Sequence, residues 1–253
     1  MLEQKNNCIL YCGDCLVEMA SMADGSVDLI LTDPPYYSTQ LAFDKAPRID
    51  YKQWLIDCKR VLKDTGVLVS FCDLNLLIEL RSHKVFKTAY EIVWEKTMAM
   101  GFLDANIRPL RAHEFIIVMT NALKKSTYNP QKTVGNPYVA LHKANNTSHV
   151  NKHKECTTIN TGDRHPRTVQ KFSNNKNGSL HPTQKPIDLC QWLINSYSNV
   201  DDIVLDCFMG VGSVKVAAQS TGRRFIGIEL NKEYFEIAKN RIEGAQGKEV
   251  EAA

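Results

Sequence analysis

Val27-Asp28-Leu29-Ile30-Leu31-Thr32 runs directly into Asp33-Pro34-Pro35-Tyr36. The first six residues have the length and the branched apolar content of a buried strand. The proline pair ends it, because proline fixes φ and has no N–H to give to a ladder. A carboxylate, an outward-pointing carbonyl and a flat ring therefore share one strand end. In an open α/β sheet that end is where ligands bind. An ordinary strand-to-turn junction has the same outline, so the rest of the chain must decide between the two.

An amine on a planar ring presents two N–H donors. The Asp33 carboxylate and the Pro34 carbonyl are placed to take one each, with Tyr36 free to stack on the ring. A second junction lies far downstream, where Ile203-Val204-Leu205-Asp206-Cys207-Phe208-Met209-Gly210-Val211-Gly212-Ser213 reads as a short buried strand, a tight glycine loop and the start of a helix. A dinucleotide fingerprint needs a third glycine three positions beyond Gly212. Lys215 stands there instead, which disfavours a pyrophosphate ligand. The next strand, Phe225-Ile226-Gly227-Ile228, ends in Glu229, where an acid accepts hydrogen bonds from ribose hydroxyls. An adenosine-bearing cofactor without a pyrophosphate fits this pattern.

Taken together, these blocks resemble those of amino-methylating DNA methyltransferases, the adenine-N6/cytosine-N4 family, and most of all its site-specific adenine-N6 members. Three segments carry the resemblance: Asp33-Pro34-Pro35-Tyr36, His181-Pro182-Thr183-Gln184-Lys185-Pro186, and Leu205 to Ser213. Their order matches the β arrangement of the family. Cys207 and Val214 depart from it, standing where proline and threonine are common, and neither change removes a required polar group. The resemblance implies a doubly wound, mostly parallel open α/β sheet with helices on both faces, a Rossmann-like methyltransferase fold. It also implies S-adenosylmethionine as cofactor and double-stranded DNA as partner, and it leaves open a homodimer and a cognate restriction endonuclease.

Site residues carry over motif by motif. Asp33, Pro34, Pro35 and Tyr36 form the catalytic group. The cofactor group comprises Asp14 and Cys15 beside the adenine, Asp206, Phe208, Gly210, Gly212, Ser213, Glu229 and Asn231 around the loop, and His181, Thr183 and Lys185 near the cofactor's amino-acid end. Lys185 also reads as a solvated helix-start lysine, and His181 as a structural histidine. The aspartate that opens the catalytic motif is associated in this family with adenine, and a serine there with cytosine. A protein-glutamine methyltransferase generally has asparagine at that position and places its cofactor loop first. A DNA-binding module without enzymatic activity would leave the Asp33 and Gly210 segments unexplained.

Charge patterning isolates one more region. Residues 121–180 hold ten Lys/Arg against two acids, a formal +8, while the whole 253-residue chain is +3, so the remainder carries −5. Ten asparagines and four histidines accompany these charges. The segment reads as a basic target-recognition insert or as a disordered solubilising one. In the first reading Lys152, Lys154, Arg164 and Arg167 neutralise phosphates or reach base edges. Arg108 and Arg111 are further candidates, each also able to pair with Glu114 or Asp104. Residues 1–120 and 181–243 then form the two halves of the catalytic domain, and 244–253 a frayed tail. Tyr37, Phe43 and the loop between them read either as a cover over a flipped base or as ordinary surface.

Class exclusions follow from composition. No apolar run reaches spanning length and the start of the chain lacks a signal-like stretch, so a cytoplasmic enzyme is expected. Among the eight cysteines, Cys58, Cys72, Cys190 and Cys207 sit in apolar periodic stretches, as small core residues do. Cys12-Gly13-Asp14-Cys15 lacks the second ligand pair that structural zinc needs, and no metal is expected.

Overall fold

The computed structural model describes residues 2–5, 7–37, 48–144, 155–174 and 184–250. Nine strands form one mixed sheet, in the order β1 (Leu2–Lys5), β2 (Cys8–Cys12), β13 (Arg224–Glu229), β12 (Ile203–Asp206), β3 (Val27–Thr32), β4 (Leu62–Cys72), β6 (Arg111–Thr120), β5 (Thr88–Met100) and β11 (Val169–Phe172). Pairing is parallel from β2 through β4 and again between β11 and β5. Strand β6 runs against both of its neighbours, and β1 runs against β2.

Among the described residues six α-helices cover this sheet: α1 (Cys15–Ala20), α2 (Tyr51–Val61), α3 (Leu74–Ser82), α4 (Ile187–Tyr197), α5 (Ser213–Ser220) and α6 (Lys232–Val250). Strand β3 meets helices on both faces, with an irregularity in register between Val27 and Leu29. Leu29 and Leu31 pack with Leu189, Leu193, Ala217 and Phe235 from α4, α5 and α6, while Val27 and Ile30 pack with Met19, Trp54, Leu55 and Leu76 from α1, α2 and α3. Both faces of the strand are buried, as expected for parallel strands flanked by helices. Truncating Leu31, which has 0% exposure, to alanine should cost about 2–5 kcal/mol.

Chain direction places the site. From β3 the crossover through α2 leads outward to β4, and from β12 the crossover through α5 leads the opposite way to β13. The order therefore reverses between β3 and β12, and the crevice at their carboxyl ends is the topological switch point of the sheet. Two side chains stitch this seam. Thr32 donates its hydroxyl to Asp206 Oδ1 at 2.7 Å. Asp28 accepts from the Ile203 amide at 2.9 Å with one oxygen and from Lys63 at 2.7 Å with the other.

Residues Pro130–Arg167 form a second compact unit. Within it β7 (Thr133–Val134) pairs with β10 (Asp163–Arg164), and β8 (Tyr138–His142) with β9 (Cys156–Asn160). The basic stretch is thus divided, because residues 121–129 and 168–174 belong to the larger unit, where β11 completes the sheet. The chain end also differs from the sequence reading: α6 continues through Gly244 to Val250, where a frayed tail was expected. Ala245, Gln246, Lys248 and Glu249 are good helix formers and outweigh two glycines. Cys58, Cys72, Cys190 and Cys207 are buried and free, as core thiols should be. Among the described residues no helix is long and apolar enough to cross a membrane.

Candidate active site

At the end of β13, the Glu229 carboxylate accepts from the Gly210 amide at 2.7 Å and from the Asn231 amide at 2.7 Å. One oxygen goes to each, and the carboxylate keeps acceptor capacity beyond these two bonds. Burial pushes this carboxyl above its usual range, against the pull of the Asn231, Gly210 and Leu230 amides. The loop it anchors begins at Asp206, whose Oδ1 also accepts from the Phe208 amide at 3.1 Å. Burial raises the Asp206 carboxyl to about 7, with the Thr32 hydroxyl and the Phe208 amide opposing it.

Two glycines give the loop its shape. Gly210 (φ +53°) and Gly212 (φ +81°) are left-handed, a region costly for residues with a Cβ. A Cβ on Gly210 would meet nothing within 4 Å, so the loop borders open space there, while one on Gly212 would press on Ala238 Cβ at 3.3 Å. Gly227 was not singled out in the sequence, yet a Cβ on it would collide with the Met209 and Phe225 side chains that pack there. Lys215, at the absent third-glycine position, is 1% exposed and donates to the Ala238 carbonyl at 3.3 Å. Burial lowers its ammonium to about 8.

The amino-terminal block reaches the same edge. Cys12 lies opposite Glu229 in the sheet, and the Gly13 amide donates to the Glu229 carbonyl at 3.0 Å. Asp14 caps α1 by accepting from the Leu16 and Val17 amides at 2.9 and 3.3 Å, and Cys15 is buried as the first residue of that helix. Asn231 likewise caps α6, its Oδ1 accepting from the Glu233 and Tyr234 amides at 2.8 and 3.2 Å. Ser213 is nearly buried at the start of α5, and the half-buried Phe208 ring tilts against Trp54 with centroids 5.8 Å apart. An open loop edge beside an acid with spare acceptor capacity suits an adenosine-bearing cofactor of the S-adenosylmethionine type.

The Asp33 side chain, one quarter exposed at the end of β3, is met by side chains instead of amides. Its Oδ1 lies 2.7 Å from the Tyr36 hydroxyl oxygen, and its Oδ2 accepts from Lys185 at 2.8 Å. The same Tyr36 oxygen lies 2.7 Å from Glu114 Oε1, to which Lys185 also donates at 2.9 Å, while Lys96 donates to Glu114 Oε2 at 2.7 Å. Lys185 is 9% exposed and sits over the Phe71 and Tyr36 rings at 5.0 and 5.5 Å, so it is not a solvated helix-start lysine. Burial pushes Asp33 above its usual range; Lys185 opposes this and Glu114 adds to it. Burial pushes Glu114 the same way, but Lys185 and Lys96 together hold it down to about 2.

The proline pair is braced from α2. Tyr51 donates its hydroxyl to the Pro35 carbonyl, and Tyr37, at φ +54°, accepts from the Ile49 amide at 2.9 Å. The four motif residues are thus held at the switch point beside the glycine loop.

Glu114 and Lys96 are absent from the sequence-derived catalytic group. The available signal was a charged residue directly before the apolar run Phe115-Ile116-Ile117-Val118-Met119. Their convergence depends on pairing between β4, β5 and β6. Of the basic candidates, Arg108 pairs with Asp104, including a bond at 3.0 Å from Nε, and Arg111 is exposed at the start of β6. Arg164 is spent inside its own unit, donating to Asn160 and to the Asn136 and Asp163 carbonyls and lying 4.9 Å over the Tyr138 ring. Arg167 is exposed. His181, Thr183, Lys152, Lys154 and Phe43 lie outside the described residues.

A nucleoside-cofactor loop and an acid–proline–proline–tyrosine strand end, meeting at the switch point of one sheet, define an S-adenosylmethionine-dependent methyltransferase acting on an amine. Comparison with known proteins narrows the class. A DNA methylase family model, that of N6/N4 methyltransferases, matches residues 27–240, and the chain belongs to this family. Type II methyltransferase M.HpaI of Haemophilus parainfluenzae is 31% identical over 252 residues, covering 92% of this chain and 74% of the relative. DNA adenine methyltransferase YhdJ of Escherichia coli (strain K12) is 31% identical over 249 residues, covering 92% and 82%. The structure of an M1.HpyAVI–SAM complex superposes with a TM-score of 0.60 at 26% identity, covering 92% of this chain and 98% of that one. PvuII DNA methyltransferase, cytosine-N4-specific, shares the fold with a TM-score of 0.67 at 17% identity over 93% and 86%.

Proposed function

We propose that this protein methylates the exocyclic N6 amine of adenine within a specific sequence of double-stranded DNA. The observation that carries the reading is Asp33, an acid and not a serine, at the carboxyl end of β3 beside the cofactor loop. A relative named as a DNA adenine methyltransferase supports it.

Asp14, Cys15, Asp206, Phe208, Gly210, Gly212, Ser213, Glu229 and Asn231, with His181, Thr183 and Lys185, would hold the cofactor, Glu229 through its remaining lone pairs. When bound, S-adenosylmethionine supplies an electrophilic methyl carbon attached to a positively charged sulfur. Asp33 and the Pro34 carbonyl accept from the two amine N–H groups and fix the nitrogen; among the described residues none donates to that carbonyl. Holding the reacting atoms in line at near-attack distance is the principal contribution to rate. Pro35 stiffens the turn, and Tyr36 stacks on the base. Because the amine is paired inside a duplex, the base must first rotate out, at a cost of a few kcal/mol.

Digestion of methylated DNA to nucleosides, followed by mass spectrometry, tests the substrate. N6-methyladenine is the expected product. Mainly N4-methylcytosine would move the enzyme to the other branch of its family, and 5-methylcytosine would refute the mechanism, since that reaction needs a cysteine nucleophile where Tyr36 stands.

Residues 121–180 are assigned to target recognition on their formal +8 charge. Replacing Arg167, Lys143, Lys152 and Lys154 by alanine should weaken DNA binding and reduce the slope of log K against log salt by about 0.9 for each lost phosphate contact. Arg164 is left in place because it knits its own unit together. A salt slope equal to the parent's would remove the insert from the DNA interface. A homodimer and a cognate endonuclease are further partners that sedimentation and neighbouring genes would test.

A further inference from the structure

One hydroxyl in the site is asked to do the work of two. Tyr36 Oη lies 2.7 Å from Asp33 Oδ1 and 2.7 Å from Glu114 Oε1. Each separation at that distance needs a proton between the oxygens, and a phenol brings one. The second proton must therefore sit on a carboxyl. Glu114 faces two ammonium groups, Lys185 at 2.9 Å and Lys96 at 2.7 Å, whereas Asp33 faces Lys185 alone at 2.8 Å. Asp33 is the weaker acid of the pair and holds the proton. The chain then runs from Asp33 Oδ1–H to Tyr36 Oη–H to Glu114 Oε1.

We propose that Glu114 is a positioning residue that sets the proton affinity of Asp33, acting through the Tyr36 hydroxyl and the shared Lys185, and that Lys96 controls it in turn by neutralising Glu114. The inference rests on the DNA-methylating function above and extends it to a residue outside the catalytic motif. The step concerned is a proton transfer: an N–H bond of the target amine breaks, an O–H bond forms on Asp33, and the nitrogen keeps the electron pair. Asp33 can take that proton only after losing its own, so methylation requires the ionised form. Other titratable groups face this cluster from each packed element: Cys72 of β4, Cys190 of α4 and Asp206 of β12. All three are raised by burial, so neutral forms dominate at Cys72 and Cys190, while Asp206 adds negative charge only as pH approaches about 7.

The test is the acidic limb of the pH profile of single-turnover methylation, measured for the parent, Glu114→Gln and Lys96→Met. Glu114→Gln removes a negative neighbour, leaves Lys185 to Asp33 and should move the limb to lower pH by roughly one unit. Lys96→Met uncovers the Glu114 charge and should move it to higher pH. A packing role alone would slow both variants without moving their limbs in opposite directions. Calorimetric S-adenosylmethionine affinity should stay within about threefold of the parent in both, a difference under 1 kcal/mol. Fluorescence of 2-aminopurine at the target position, which reports base rotation without turnover, should reach the parent's level with each variant. Limbs that stay put or move the same way overturn the proposal. If Glu114→Gln does not fold, the Lys96→Met limb decides alone. A parent that leaves DNA unmethylated would refute the underlying function instead.

Discussion

At the end of β13 the Glu229 carboxylate is satisfied by backbone amides of Gly210 and Asn231, whereas at the end of β3 the Asp33 carboxylate is satisfied by the side chains of Tyr36 and Lys185. Both acids are largely buried, and burial pushes both carboxyls upward. The difference lies in what can yield. An amide within a glycine loop is fixed by the fold, so Glu229 presents its spare lone pairs in a constant direction. Lysine and tyrosine turn about several bonds, so the partners of Asp33 can give way when an amine arrives. Fixed partners suit a group that binds without changing; movable partners suit one that exchanges protons.

The largest expected effect breaks the comparison at the β3 corner. Asp33→Ala should lower methyl transfer by about 10²–10⁴-fold, the usual contribution of a positioned acid–base group, while calorimetry shows S-adenosylmethionine affinity within a few fold of the parent. Retained turnover would show that the two corners do not divide the labour in this way. Glu229→Ala is the converse. Losing a hydrogen bond to a charged acceptor costs roughly 1.5–3 kcal/mol, or about ten- to a hundredfold in cofactor affinity, and unchanged affinity would remove Glu229 from the cofactor site.

A smaller effect concerns Asp206, which shares the seam between the corners. Its folded carboxyl is raised to about 7 from an ordinary value of 3.8, so the folded chain binds this proton more tightly than the unfolded chain. The resulting stability is fully present below the ordinary value and is lost as pH rises to about 7. Asp206→Asn should therefore flatten the decline of stability across that window in urea titrations. Parallel curves for parent and variant would mean that the carboxylate is accommodated without penalty.

How much of this was legible in the sequence depends on distance along the chain. Asp33-Pro34-Pro35-Tyr36 and the Gly210–Gly212 loop are local, each written within a dozen residues by a strand, a turn former and a helix start, and the structure sets them side by side. Glu229 was legible for the same reason, as the last residue of a short apolar strand. Glu114 and Lys96 were not, because they join the cluster around Asp33 only through antiparallel pairing of β6 with β4 and β5, whose register no local signal states. The end of Lys185 on Asp33 and Glu114 was hidden likewise, since its motif says that it precedes a helix and not where its ammonium goes. In the insert, composition exposed the charge but not the use of Arg164, which depends on the fold of its own unit.

The seam between β3 and β12 also orders events in time. Thr32 and Asp206, joined by a hydrogen bond, are 174 positions apart, and β12 and β13 must enter the sheet between β2 and β3, which are made first. Contacts of such separation are slow to form, and a chain emerging from the ribosome meets its earliest segments first. Strand β3 is thus synthesised with one edge unmatched, and two central strands are threaded into that gap only after β4, β5 and β6 have been made. Pulse-labelled hydrogen exchange during refolding should show Leu29 and Leu31 becoming protected together with Val204 and not before it. A growing chain accordingly carries Asp33 long before it has the glycine loop and the Glu229 carboxylate that would hold a methyl donor.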